Sequence, residues 1–192
     1  MYSVRWTCDQ SLTSPFIYAM NQPQAYHRKR QDQQTSNMNS HLRKVRIIAD
    51  YQFGRGAGRA VFPDDVEFRL STTGRIRQIL QDGERIATLR ADDNQFTLGM
   101  IGASRLHAFL PHPGMRVVVN SDAAPFVSQG KTAFARHVVS VDPVVRSGDE
   151  VLLVDEDDNL LATGQAQLSA SELCSFTNGA GVDVRIGFGK ES

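Results

Sequence analysis

The sequence predicts an α+β protein of two small units, the second a compact β pseudo-barrel, preceded by a leader without regular structure. Three observations lead there. From Lys44 onward, short apolar and β-branched runs alternate with glycine and proline punctuation, the pattern of short strands joined by tight turns. Only brief stretches show helical spacing. The residues up to about 43 are polar and amide-rich, with neither helical nor strand periodicity.

Residues 1–43 form the leader. Its segment NQPQAYHRKRQDQQTSNMNS has too little apolar surface to offset the entropy of ordering it. His27, Arg28, Lys29 and Arg30 read as a solvated tail or as a basic arm. Met38 also offers an alternative start at MNSHLRKVRII, which would make everything upstream a gene-calling artefact.

The first unit spans 44–112. VRIIADY is expected as a strand and GAGRAVF as a short helix entered through flexible glycines. VEFRLS, RIRQILQ and ERIATLR are strands, the last two joined by Asp82-Gly83, a dipeptide suited to the positive φ of a tight hairpin. QFTLGM adds another. GASRLHAFL spaces Leu106 and Leu110 as an amphipathic helix does, and Pro111 and Pro113 end it.

The second unit spans 114–192 and, with its own apolar runs beyond the prolines, is expected to fold alone. RVVVN is a β-branched strand, Asp122 is expected to cap a short helix through Phe126, and GKTAFARHVV runs on into a strand. EVLLVDEDDNLLATGQAQL reads as two strands around a solvated acidic turn at Asp155, Glu156, Asp157 and Asp158. Ser169 precedes Glu172 by three residues, a capping-box spacing, and GVDVRIGF closes the sheet.

Composition excludes several function classes. Lysine plus arginine number 21 and aspartate plus glutamate 21, so no global field drives the chain onto nucleic acid or an anionic membrane; any RNA contact must be a local patch. Cys8 and Cys174 lie far apart, against a zinc site or a disulfide framework and in favour of a reducing cytoplasm. No apolar run is long enough for a membrane span and the first residues lack a signal-peptide core, so no membrane partner is expected.

Catalytic and cofactor motifs fail on spacing. Gly54, Gly56 and Gly58 run G-x-G-x-G, with Arg59 where a dinucleotide fingerprint needs its third glycine. Gly130-Lys131-Thr132 lacks the glycine five residues earlier that a P-loop requires. His107 and His112 do not share a helical i, i+4 spacing, and no G-x-S-x-G elbow marks a nucleophile. No cofactor, metal or catalytic constellation is expected.

The segments GKTAFARHV, RSGDEVLLVDE, LLATGQAQLS and GVDVRI together resemble a PUA domain over residues 115 to about 187. Lys131, Phe134, Arg136 and His137 depart from the common G-A-D-V-M-A-P-G-V version and are closer to that of archaeal tRNA-guanine transglycosylases. ADYQFGRGAGRAVFP, STTGRIRQI and RIATLRADDNQFTLGMIGASRL resemble the domain that precedes PUA in those enzymes and in archaeosine synthase. That family's catalytic barrel, with its aspartate nucleophile and cysteine-rich zinc site, does not fit in 192 residues. The resemblance implies a non-catalytic RNA-binding protein that recognises tRNA near the acceptor stem and assists archaeosine-type modification. The alternative is a docking or regulatory subunit that completes a separate transglycosylase or archaeosine synthase chain without binding RNA on its own.

Candidate RNA contacts fall in three places. Arg55 and Arg59 stand beside flexible glycines, either for phosphate or to pair with Asp64, Asp65 or Glu67. Arg75 and Arg77 share one face if RIRQILQ is a strand. Gly130, Lys131, Arg136 and His137 lie in a segment without acids, which the PUA resemblance places at the RNA-facing groove; Phe134 is expected in the core.

Overall fold

The computed structural model describes residues 22–189, with side chains from residue 37 onward. The first 21 residues of the leader, with Cys8, lie outside the described residues. The chain divides into residues 1–39 and 40–192, and the latter carries both sheets.

Helix α1 is Gln22–Phe53, so helix runs through the expected leader boundary at 43 and through VRIIADY, which is not a strand. The reason is a spacing of three and four: Leu42, Val45, Ala49 and Phe53 lie on one stripe and are buried. That stripe outweighs the β-branched content of Val45, Ile47 and Ile48.

The helix α2 (Ala57–Val61) then crosses α1 closely, because a Cβ at Gly58 would stand 2.3 Å from the Arg46 carbonyl oxygen. Asp50 accepts hydrogen bonds from the backbone N–H groups of Gly56 (3.1 Å) and Gly58 (2.7 Å). The donors that a phosphate cradle would offer are therefore occupied from within the chain, and the glycines serve helix packing.

Strands β1 (Glu67–Leu70), β2 (Ile76–Gln81), β3 (Glu84–Leu89) and β4 (Phe96–Leu98) form an antiparallel sheet in that order. Asp82 (φ 51) and Gly83 (φ 82) make the β2–β3 turn, as the dipeptide requires. Helix α3 (Met100–Phe109) covers the sheet with α1 and α2, around Phe62, Ile79, Ile86, Phe96 and Leu106.

The second sheet contains β5 (Arg116–Val119), β6 (Ala133–Phe134), β7 (Val138–Val141), β8 (Glu150–Val154), β9 (Leu160–Ala166) and β10 (Ala180–Gly187). Their order is β6-β10-β9-β8-β5-β7, antiparallel except for the parallel β5–β8 pair, a nearly closed barrel. Its core includes Val117, Val119, Val151, Leu153, Ala162, Leu173 and Val182. Helix α4 is Ala124–Ser128, and Asp122 does not cap it: the Asn120 side-chain oxygen accepts the Ala123 N–H at 3.1 Å instead. Helix α5 (Ala170–Ser175) has the expected capping box, with Glu172 Oε2 accepting the Ser169 N–H at 2.8 Å.

Two buried charged residues join the second sheet to the first unit, Arg116 at the end of α3 and Glu150 at β4. Arg116, 3% exposed, donates from Nε to Asp158 Oδ1 (2.6 Å), from Nη1 to the carbonyls of Leu110 and Gly114, and from Nη2 to that of His107. His107 Nε2 lies 3.2 Å from the same Asp158 oxygen. Asp158, although 39% exposed at the acidic turn, is thus held by partners as well as by solvent; against the opposing effect of desolvation, the Arg116 guanidinium and His107 hold its carboxyl below the usual carboxylate range. Glu150, 4% exposed on β8, accepts the Leu98 N–H of β4 at 3.0 Å.

Candidate nucleic-acid interface

The turn after α4 is fixed by its own backbone. The Gly130 N–H donates to Val127 O (2.9 Å) and the Lys131 N–H to Phe126 O (3.0 Å), with Gly130 at φ 85, a region that favours glycine. The end of β10 presses on this turn: a Cβ at Gly187 would meet Ser128 O at 2.1 Å. Lys131 leaves the turn exposed, with no ion pair to it among the described residues.

From there β6 pairs with β10 as an edge strand, and a short 3-10 turn, Ala135–His137, follows. Alternation now sorts the side chains. Ala133 and Ala135 point inward and are buried; Phe134 and Arg136 point outward. Phe134 is not a core residue: it is 44% exposed, and the Arg136 guanidinium stands 5.6 Å from its ring centroid. Arg136 Nε donates to Nε2 of the half-buried His137 at 3.1 Å, which holds the two side chains together. Phe126, 61% exposed on α4, adds a second aromatic surface beside the Lys131 backbone. One edge of the barrel therefore presents aromatic faces with a lysine and an arginine, groups that suit bases and phosphates together.

In the first unit Arg55 and Arg59 are exposed and make no ion pair among the described residues. Two of the three acids expected to hold them are used elsewhere: Asp64 pairs with Arg46 at 2.9 Å, and Asp65 accepts from Gln81 Nε2 at 2.8 Å. Arg75 precedes β2 and does not belong to it, yet Arg75 and Arg77 line one cavity, together with Lys44 and Arg90. Arg90 escaped sequence reasoning because it follows a different strand, one residue beyond the end of β3. The outward Phe126 and Phe134 were also missed, although the Ala-Phe-Ala-Arg alternation at 133–136 carries the sign of it.

Among the described residues no group of three or more His, Cys, Asp or Glu is placed to hold a metal ion, and no helix is long and apolar enough to cross a membrane.

Residues 43–113 match the patch-forming domain C2 of tRNA-guanine transglycosylase, and residues 115–188 match the PUA domain. A tRNA-guanine(15) transglycosylase of Pyrococcus furiosus is 51% identical over 143 residues, covering 74% of this chain and 24% of that protein. The enzyme of the same name from Thermococcus kodakarensis is 50% identical over 146 residues, 76% of this chain and 25% of its own. The chain spans about a quarter of the length of these relatives. A hypothetical protein from Pyrococcus horikoshii shares the fold with a TM-score of 0.61 at 21% identity, covering 78% of this chain and 91% of that one.

Proposed function

For a chain that joins a transglycosylase C2 domain to a PUA domain, we propose a non-catalytic RNA-binding role: it binds tRNA near the acceptor stem and assists archaeosine-type modification in the cytoplasm. The observation that carries this reading is the outward set of Lys131, Phe134 and Arg136 beside Gly130, on a fold matched as PUA. With equal numbers of acidic and basic residues overall, affinity rests on such local groups. Lys131 and Arg136 contact phosphates and position the RNA, while Phe134, with Arg136 over its ring, supports a base. Arg55, Arg59, Arg75 and Arg77 extend the contact onto the first unit.

Crosslinking of the protein to RNA in cells, followed by sequencing of the attached fragments, tests this. Fragments concentrated in tRNA acceptor stems are expected; fragments spread over unrelated RNAs count against the tRNA assignment.

A second reading is favoured by the 51% identity between this chain and part of a transglycosylase. In it, the chain docks on a separate transglycosylase or archaeosine synthase chain and completes it. Filter binding separates the two, because a docking subunit alone leaves tRNA unbound.

A further inference from the structure

The first unit contains a cavity of about 590 Å³, between α1, the loop before β2 and the end of β3. Its walls carry four cations, Lys44, Arg75, Arg77 and Arg90, and no carboxylate side chain. Arg90 is committed, donating to Asp93 Oδ1 and to Gln95 Oε1. Lys44, Arg75 and Arg77 are exposed and form no ion pair among the described residues.

Local structure holds these cations together. The Ser71 N–H donates to Arg75 O (2.8 Å) and the Arg75 N–H returns to Ser71 Oγ (3.1 Å), while Ser71 Oγ and Thr73 Oγ1 lie 2.9 Å apart. The β1–β2 register steps from Leu70↔Ile76 to Arg69↔Gln78, which leaves Arg77 unpaired in a bulge. Ile76, 7% exposed, anchors the strand between the two arginines. Bulges re-aim side chains, and this one turns Arg77 to the same cavity as Arg75.

Three like charges crowded in a concavity without a counter-charge repel one another, and an anion relieves that repulsion. Arginine forks match phosphate oxygens in pairs, lysine adds a point charge, and Thr73 and Asn94 line the same walls with neutral donors. We propose that this cavity is a second RNA site, which seats one nucleotide with its phosphodiester on Lys44, Arg75 and Arg77. The proposal rests on the RNA-binding reading and adds a contact separate from Lys131 and Arg136. RNA bound at both places is held by two anchors on one chain, so loss of either weakens binding without abolishing it.

The test uses the full chain and measures filter binding to labelled tRNA across a salt series, with Arg75→Gln/Arg77→Gln and, from another element, Lys44→Gln. The double variant is expected to weaken binding several-fold at low salt and to reduce the magnitude of the log-log salt slope by up to about 0.9, the contribution of the one phosphodiester seated there. Its melting temperature at low salt should equal or exceed that of the unsubstituted chain, because charge crowding is removed; a purely structural role for the arginines would lower it. Inorganic phosphate and adenosine monophosphate form the second arm. If either occupies the cavity as tightly as tRNA binds the chain, the site belongs to a small anion and the RNA assignment is overturned. Unchanged tRNA affinity and slope in both the double variant and Lys44→Gln, with the unsubstituted chain still binding, overturn the cavity proposal alone. Absence of tRNA binding by the unsubstituted chain overturns the underlying reading as well.

Discussion

Replacing Glu150 with glutamine should stabilise the protein above neutral pH and leave it nearly unchanged below pH 5. Glu150 sits on β8 with 4% exposure, and burial pushes its carboxyl up from 4.5 to about 7, against the lowering effects of the Leu98 N–H and of Arg185, whose Nε is 3.7 Å away. The fold therefore holds a proton on Glu150 that the unfolded chain releases above pH 4.5. Where the native state binds the extra proton, stability falls as pH rises, so the loss develops between pH 4.5 and 7 and is complete above 7. A shift of that size corresponds to about 3 kcal/mol. Glutamine keeps an acceptor for the Leu98 N–H and does not titrate. At pH 8 the melting temperature of Glu150→Gln should rise by roughly 6–12 °C, given about 2–4 °C per kcal/mol for a chain of this size. Calorimetric melts from pH 5 to 8.5 read it directly. Two melting curves that run parallel across that range would overturn the assignment, because they would show that Glu150 does not change its charge there.

Other substitutions probe other parts of the structure. Arg116→Ala removes the guanidinium that ties Asp158 to the Leu110, Gly114 and His107 carbonyls, and should cost about 3 kcal/mol in a denaturant titration. A loss under about 1 kcal/mol would mean that the barrel and the end of α3 do not depend on that joint. Gly58→Ala would bring a methyl group to 2.3 Å from Arg46 O, and should destabilise by about 1–3 kcal/mol as α2 is forced off α1. Phe134→Ala should leave the melting temperature unaltered because the ring is 44% exposed, yet weaken tRNA binding by about 1–3 kcal/mol if a base stacks on it. An intact affinity would assign the ring no base.

Much of the architecture is legible in local sequence. Asp82-Gly83 marks a hairpin because its residues must take positive φ, and Ser169 with Glu172 marks a helix start because the two side chains reach backbone donors only three residues apart. VRIIADY misleads because its β-branched residues obscure a buried stripe of Leu42, Val45, Ala49 and Phe53 that appears only when the window extends upstream. The exposed charges of the candidate edge were legible and its outward aromatics were not. Lys131 and Arg136 stand out in a run without acids, but a phenylalanine in a strand reads as core until the two flanking alanines are known to face inward. Contacts distant in sequence were not legible. Arg116 and Asp158 meet across 42 residues, so nothing local distinguishes Asp158 from the solvated acids beside it.

The most direct test of RNA recognition by the barrel edge is tRNA filter binding by the Lys131→Ala/Arg136→Ala variant, from low to physiological salt, with melting curves taken in parallel. Both side chains are exposed, so the melting temperature should hold. If each side chain neutralises one phosphate, the variant binds more weakly at low salt and its salt slope is smaller in magnitude by somewhat under about 2. Unaltered affinity and slope in a folded variant would contradict recognition by this edge, and would leave docking on a separate catalytic chain as the better explanation of the surface.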